Sequence, residues 1–237
     1  MSGAKIRVAA IDSGVNPAHP HIGQIAGGVA VDMEGALNPA RDAWIDKLGH
    51  GTAVMAAIQQ GAPAADFFAV KVFHDALQTR ALVLVRAIDW CLSQNIDVIN
   101  LSLGTVNPSY TEAFADAVER CVQRGTVLVA AREANGTPCY PGSLPGVVSV
   151  GLDWDTPRAT YRCEEKDGAA VFLTAGYPRP IPGVPPARNL YGISFAVANM
   201  TGFVIRARAV VGATPLHERF VAIRRHLQEC PPEAKPT

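Results

Sequence analysis

The sequence predicts an α/β fold, a doubly wound and mostly parallel sheet with helices on both faces. Short runs of apolar and β-branched residues alternate along the chain with segments whose apolar residues recur at helical spacing. The strand-like runs are continuously apolar, as in parallel strands buried on both faces. This alternation predicts right-handed βαβ units. With 49% hydrophobic and 18% charged residues, the 237 residues can bury a sizeable core, and we expect one domain over residues 1–237.

The predicted strands come first in each unit. Their sequences are IRVAAID, ADFFAVKVF, IDVINLSLG, TVLVAA and GVVSVG, which begin at Ile6, Ala65, Ile96, Thr126 and Gly146. Because each run is short and bounded by polar or glycine residues, a strand explains it better than a buried helix.

Helical spacing predicts the other elements. Helices are expected at 52–60, 81–93 and 111–124, followed by a long apolar helix from Ser194 to about Val211. The spacing of Leu216, Phe220, Ile223 and Leu227 predicts a last amphipathic helix. The Pro-rich segment 176–189 is predicted to be a surface loop, and residues 230–237 a frayed tail.

Charge and cysteine content exclude several classes of protein. Lys plus Arg and Asp plus Glu are both 21, so we expect no nucleic-acid or membrane partner. No run reaches the roughly 18 to 20 uninterrupted apolar residues of a membrane helix, and the chain begins without a signal-peptide pattern. The five cysteines show no C-x-x-C spacing, which indicates free thiols rather than a disulfide framework or a zinc site. The expected location is therefore the cytoplasm, and we expect the chain to fold without a propeptide.

Three polar residues stand where ligands gather in parallel sheets, at the ends of strands or the starts of helices. Asp12 ends the first strand, His50 opens a helix between two glycines, and Ser194 opens the long apolar helix. Taken singly, each has an ordinary structural explanation, such as a turn aspartate or a helix N-cap serine. A carboxylate, an imidazole and a hydroxyl are also the groups that nucleophilic catalysis combines.

The segments around these residues are AIDSGVNPAHP, GHGTAVMAAI and GISFAVANMTG, and they occur in the order Asp, His, Ser. Together they resemble the three motifs of the subtilisin-like serine proteases, or subtilases. The resemblance implies a serine endopeptidase that binds a peptide or protein in extended form and cleaves a limited set of sites. Ser194 would be the nucleophile, His50 the general base and Asp12 the orienting carboxylate. No cofactor or metal is implied, although a structural calcium site stays open.

The same resemblance implies a substrate cleft. The backbone of Ser102, Leu103 and Gly104 would pair with the substrate, and Cys139 would close the base of the pocket for the P1 side chain, the residue before the scissile bond. The alternative for Cys139 is a core cysteine facing away from the cleft. Asn135 would donate its amide to the oxyanion, although a gapless alignment places Ala134 there and Asn-Gly is also a common turn dipeptide.

Departures from the family pattern leave a second function open. Ile193 stands where subtilases carry a threonine before the nucleophile, so a catalytically weakened subtilase acting as a peptide-binding module is the alternative. An α/β-hydrolase elbow at Ser194, with Glu218 and His226, would leave Asp12 and His50 without a role and is disfavoured.

Two further pairs of polar residues have simple explanations. His19 and His21 lack a nearby third ligand, so they predict no metal site. Arg132 and Glu133 are expected in a loop beside the cleft, either as a solvated ion pair or as a recognition site for a charged substrate residue.

Overall fold

A computed structural model describes residues 5–232 of the chain. The strands of its central sheet are β1 (Arg7–Asp12), β2 (Gly27–Val31), β3 (Leu37–Asn38), β4 (Asp66–Lys71), β5 (Val98–Leu101), β6 (Val127–Ala131), β9 (Val147–Leu152), β10 (Arg162–Lys166) and β11 (Ala169–Thr174). In these described residues, the nine strands lie in the order β10-β11-β9-β6-β5-β1-β4-β2-β3. All neighbours in this sheet run parallel except the two edge pairs, β2 with β3 and β10 with β11.

Within residues 5–232, five α-helices cover the sheet. They are α1 (His50–Gly61), α2 (Ala81–Ser93), α3 (Thr111–Arg124), α4 (Ile193–Val211) and α5 (Leu216–Glu229). Apolar residues of α1, α4 and α5 form one core with the sheet, and those of α2 and α3 form a second core with the opposite face. The doubly wound α/β fold predicted from the sequence is therefore confirmed.

The long helix α4 lies at the centre of the first core. It packs directly on α1, where a Cβ added to Gly61 would lie 3.1 Å from the Gly202 Cα. Helix α4 is long and apolar enough to span a membrane, with a mean hydropathy of 1.2, but 67% of this apolar stretch is buried inside the fold. Burial of this extent identifies α4 as the core helix on which the sheet packs.

The predicted strands and helices are all found, with bounds that agree to within a few residues. The sequence prediction missed the two outer strands at each side of the sheet, β2 with β3 and β10 with β11, and a small separate hairpin of β7 (Glu133–Ala134) and β8 (Thr137–Pro138). The segment 176–189 is a loop, as predicted, with one short 3-10 turn at Pro186–Arg188.

The predicted tail begins directly after α5. The hydroxyl of Thr160 donates to the Pro232 carbonyl oxygen at 2.6 Å, so the chain contacts the fold as far as Pro232. Residues 233–237 of the predicted tail lie outside the described residues.

Candidate active site

Asp12 is the last residue of β1, which lies between β4 and β5 in the middle of the sheet. Its side chain is 1% exposed, and its Oδ1 accepts a hydrogen bond from the Ser13 backbone N at 2.8 Å. The parallel neighbours end at the same edge of the sheet, so Asp12 stands where polar groups from several loops can meet.

His50 is the first residue of α1 and contacts Asp12 directly. The His50 Nδ1 lies 2.7 Å from the Asp12 Oδ1, a short hydrogen bond. Two glycines make this approach possible: Gly49 has a φ of 82°, and a Cβ on Gly51 would overlap the Gly14 carbonyl oxygen. The glycines flanking His50 therefore let α1 begin in contact with the turn that follows Asp12.

The surroundings of His50 change its basicity. Burial alone would lower the pKa of the imidazole, but the hydrogen bond with Asp12 and the charges of Asp12 and Asp46 outweigh it. The pKa of His50 is thus raised above its ordinary value of 6.5. Since Asp12 holds Nδ1, the tautomer with a proton on Nδ1 leaves Nε2 free to accept a proton.

Asp46 is a buried carboxylate that ties the Asp12 turn to α1. Its Oδ2 accepts from the Thr52 backbone N at 2.9 Å and from the Thr52 hydroxyl at 2.6 Å. Its Oδ1 accepts from the Ser13 hydroxyl at 2.9 Å and from the backbone N of Leu48 and Gly49. The Ser13 Oγ in turn accepts from the Gly51 backbone N at 2.8 Å. Both carboxylate oxygens of Asp46 therefore hold in place the segments that carry Asp12 and His50.

Ser194 is the second residue of α4 and is half-buried. The ring of the following residue, Phe195, lies 5.6 Å from the His50 ring, measured between centroids. The Ser102 hydroxyl donates to the Ser194 carbonyl oxygen at 3.2 Å and itself accepts from the Asn100 side-chain amide at 2.9 Å. In the described residues no hydrogen bond joins the Ser194 hydroxyl to His50. The structure thus places the Ser194 segment next to His50. Of Asp12 and Ser194, Asp12 is the residue whose side chain is hydrogen-bonded to His50 in the described residues.

The predicted substrate strand follows β5 directly. Ser102 is 6% exposed, and its hydroxyl donates to the Ser194 carbonyl oxygen in α4. Leu103 is half-buried and Gly104 is exposed. Beyond Gly104 the chain pairs in antiparallel fashion with the segment after Cys139, through two hydrogen bonds between Thr105 and Tyr140. In the described part of the chain, the backbone N and O of Leu103 and Gly104 have no hydrogen-bond partner. An extended peptide could therefore pair with them.

Cys139 faces this strand. It is 5% exposed, and a Cβ added to Gly104 would lie 2.6 Å from its Sγ. Burial raises the pKa of the Cys139 thiol, so the group is neutral and behaves as a small apolar side chain. The thiol is thus on the side of Ser102–Gly104, the position that the prediction for the P1 pocket requires.

Asn135 lies at the exposed tip of the hairpin formed by β7 and β8, where Ala134 pairs with Thr137. Its φ of 50°, followed by 78° at Gly136, is that of a two-residue hairpin turn, which favours Asn-Gly. This turn accounts for the dipeptide without any catalytic role, so the oxyanion role of Asn135 stays a prediction.

The side chains of Arg132 and Glu133 pair with the β10 to β11 turn rather than with each other. Arg132 is 9% exposed and donates to the Asp167 carboxylate at 2.7 Å, and the Lys166 Nζ lies 2.6 Å from the Glu133 Oε2. Both residues therefore anchor the base of the hairpin and do not form the expected ion pair with each other. Recognition of a charged substrate residue stays a prediction.

Comparisons with known proteins agree with this geometry. Residues 3–157, which include the Asp12 and His50 segments, match the model of the subtilase family. The chain belongs to the subtilase family. Subtilisin E of Bacillus subtilis is 33% identical over 216 residues, or 84% of this chain and 52% of that protein. Subtilisin of Bacillus pumilus is 32% identical over 216 residues, covering 84% of this chain and 72% of that protein.

Other relatives extend the match further along this subtilase. Subtilisin Savinase of Lederbergia lenta is 29% identical over 244 aligned positions, covering 96% of this chain and 84% of that protein. The chain spans about half the length of the first curated relatives that it matches. Because the family model ends before Ser194, the assignment of the serine rests on the start of α4 next to His50.

Sequence reasoning missed Asp46, which holds this site of the subtilase together. Asp46 stands four residues before His50 in the sequence, but nothing in the run Trp44-Ile45-Asp46 indicates that its carboxylate is buried.

The two histidines His19 and His21 contact each other edge to face at 5.2 Å. Within residues 5–232, no group of three or more metal-ligating side chains is found.

Proposed function

We propose that this subtilase is a serine endopeptidase acting on a peptide or protein bound in extended form. The observation that carries the proposal is the 2.7 Å hydrogen bond between Asp12 and His50 beside the N-terminus of the helix that carries Ser194. The Ser194 Oγ would attack the scissile carbonyl while the His50 Nε2 takes its proton. The same proton would then pass to the leaving amine. Asp12 would hold the imidazole tautomer and stabilise the imidazolium that forms between these steps.

The oxyanion would be stabilised at the N-terminus of α4. The first backbone N–H groups of a helix have no partner inside the helix, and the helix dipole favours negative charge there. The Ser194 N–H is one of these groups, and the Asn135 amide is the proposed second donor. The bond from Ser102 to the Ser194 carbonyl supports this step, because it fixes the first turn of α4 at the end of β5.

A peptidase assay on fluorogenic peptide libraries tests the proposal. Wild-type protein should cleave peptides, and Ser194→Ala should lose at least about 10³-fold in kcat, because the acyl-enzyme cannot form. Ser109→Ala, a change at an exposed serine on the 3-10 turn before α3, is the matched control and should retain full activity. Equal activity of Ser194→Ala and wild type would refute the proposal. Peptide binding without any cleavage would instead favour the peptide-binding module.

We also propose that the enzyme performs limited processing in the cytoplasm. All five cysteines are free thiols, and two of them, Cys163 and Cys230, are exposed, which suits a reducing compartment. Mass spectrometry of digests of folded proteins should give a few defined fragments, and cell fractionation with an antibody should place the protein in the soluble cytoplasmic fraction. Broad digestion of the folded proteins would contradict limited processing. Recovery of the protein from the culture medium would contradict the cytoplasmic location.

A further inference from the structure

A cavity of about 490 Å³ is lined by Gly49 and Thr52, which flank the proposed general base His50. Its walls come from the start of α1, from the loop after β1 and from the Pro-rich loop before α4. The lining residues that matter here are Asn16, His19, His21, Asp46, Lys47 and Arg179. We call this cavity the basic pocket. In the described residues, Ser102, Leu103, Gly104 and Cys139 are not part of its lining, so it is separate from the predicted acyl-side cleft.

The walls of the basic pocket are tied to one another without a ligand. The Gly192 backbone N donates to the Gly176 carbonyl oxygen at 2.8 Å and closes the Pro-rich loop at its base. The Arg179 Nη1 donates to the His21 carbonyl oxygen at 3.1 Å and joins that loop to the segment after β1. A pocket held in shape in this way loses little conformational entropy when a ligand enters.

The charge available to a ligand in this pocket is positive. Two basic side chains, Lys47 and Arg179, line the pocket, and His19 and His21 lie beside them. The one carboxylate in the lining, Asp46, is 8% exposed and already accepts five hydrogen bonds. Partial burial, followed by Arg179 and His19, lowers the pKa of His21, so the positive charge on this side of the pocket comes from Lys47 and Arg179 rather than from His21.

We propose that the basic pocket is a subsite for a carboxylate on the leaving-group side of the scissile bond. This inference rests on the proposed peptidase function, in which His50 gives its proton to the leaving amine. The pocket begins at Gly49 and Thr52, on either side of His50, and reaches Leu190, four residues before Ser194. Because the predicted acyl-side strand does not line the pocket, the peptide segment on the leaving side of His50 would pass it. The carboxylate can come from an Asp or Glu side chain or from the free C-terminus of that segment.

Matched peptides distinguish these two sources. All share one acyl half, and their leaving halves carry Glu or Gln at each of the first three positions, with a free or amidated C-terminus. We expect a preference of about three- to tenfold in kcat/KM for Glu over Gln, or for the free over the amidated C-terminus, that weakens as salt is raised. Arg179→Gln should reduce the preference to less than about twofold while the Gln peptide is still cleaved. Arg188→Gln, at an exposed arginine of the same loop, should keep it.

The outcomes separate this inference from the proposed function. Cleavage with no preference for either carboxylate, or with a preference that Arg179→Gln leaves unchanged, would overturn the inference and leave the peptidase function intact. If no peptide is cleaved, fluorescence anisotropy with labelled leaving-half peptides on Ser194→Ala protein tests the pocket by itself. Tighter binding of the Glu peptide that Arg179→Gln removes supports it, and equal binding of Glu and Gln peptides overturns it.

Discussion

The Asp46 carboxylate accepts both the backbone N–H and the hydroxyl of Thr52, at 2.9 and 2.6 Å. It therefore caps the first turn of α1 from a buried position, two residues after His50, the proposed general base. The negative charge that remains on this cap also reaches the imidazole and raises its pKa. Asp46 thus helps to fix the start of α1 and adds to the effect of Asp12, which does most to raise the pKa of His50.

Asp46→Asn should weaken the site without removing any proposed catalytic group. Asp46 is the acceptor in each of its hydrogen bonds, and asparagine replaces one accepting oxygen by an NH₂ group. That group would point at another donor and leave at least one of these donors unpaired. We expect a loss of about 1–3 kcal/mol in the free energy of unfolding, measured by urea denaturation. We expect kcat/KM to fall about 10- to 100-fold. Asp42→Asn, an exposed position of the same loop, is the control.

The pH profile separates positioning by Asp46 from mere stabilisation. His50 must be neutral to accept the serine proton, so kcat/KM should rise with pH and reach half its plateau above pH 6.5, the ordinary pKa. In Asp46→Asn this midpoint should move to lower pH, because a charge that raises the pKa of His50 is gone. A reduced plateau with an unmoved midpoint would mean that Asp46 acts on the fold alone.

Asn135 can be tested without disturbing its hairpin. Asn135→Gly removes the amide and keeps a residue that tolerates the positive φ of 50°. If the amide is an oxyanion donor, kcat should fall about 10²- to 10³-fold with little change in KM. Asn95→Gly, an exposed asparagine with a φ of 51°, makes the same change away from the site. An Asn135→Gly enzyme as active as the Asn95→Gly control would assign Asn135 to the turn only.

Cys139 is predicted to limit the depth of the P1 pocket. Cys139→Gly removes a buried thiol that lies against Gly104, so the pocket should accept larger apolar or aromatic P1 side chains. Each additional buried methylene is worth on the order of 1 kcal/mol, so the shift should reach roughly five- to tenfold in kcat/KM between small and large P1 residues. Cys230→Gly, at an exposed cysteine, should leave the P1 profile as in wild type. An identical profile in Cys139→Gly would place the thiol outside the pocket.

The central strands and helices could be predicted from the sequence because their buried positions carry apolar residues at regular spacing. Helices α2 and α3 have the predicted bounds, and the central strands are continuously apolar because both of their faces are covered. The two outermost strands, β10 and β3, were missed for the opposite reason. All of β10, with the sequence RCEEK, is exposed, and β3 consists of two exposed residues, so neither carries a hydrophobic pattern.

The site was predictable where a side chain ends a strand or opens a helix. Asp12 ends a strand and His50 opens a helix, and the structure joins them by a hydrogen bond. The contacts of Asp46 and Arg132 could not be predicted, because each depends on how separate loops meet after folding. Arg132 pairs with Asp167, 35 residues along the chain, and local sequence gives no sign of such a partner.

The most direct test of this account is the intact mass of the protein after reaction with a fluorophosphonate, which modifies a serine only when a neighbouring base activates it. Wild-type protein should gain one adduct, peptide mapping should place it on Ser194, and the Ser109→Ala control should react equally. Ser194→Ala should remain unmodified while keeping a cooperative thermal transition. A folded wild-type protein that gains no adduct, or that carries it on another serine, would contradict the assignment of Ser194 as the nucleophile.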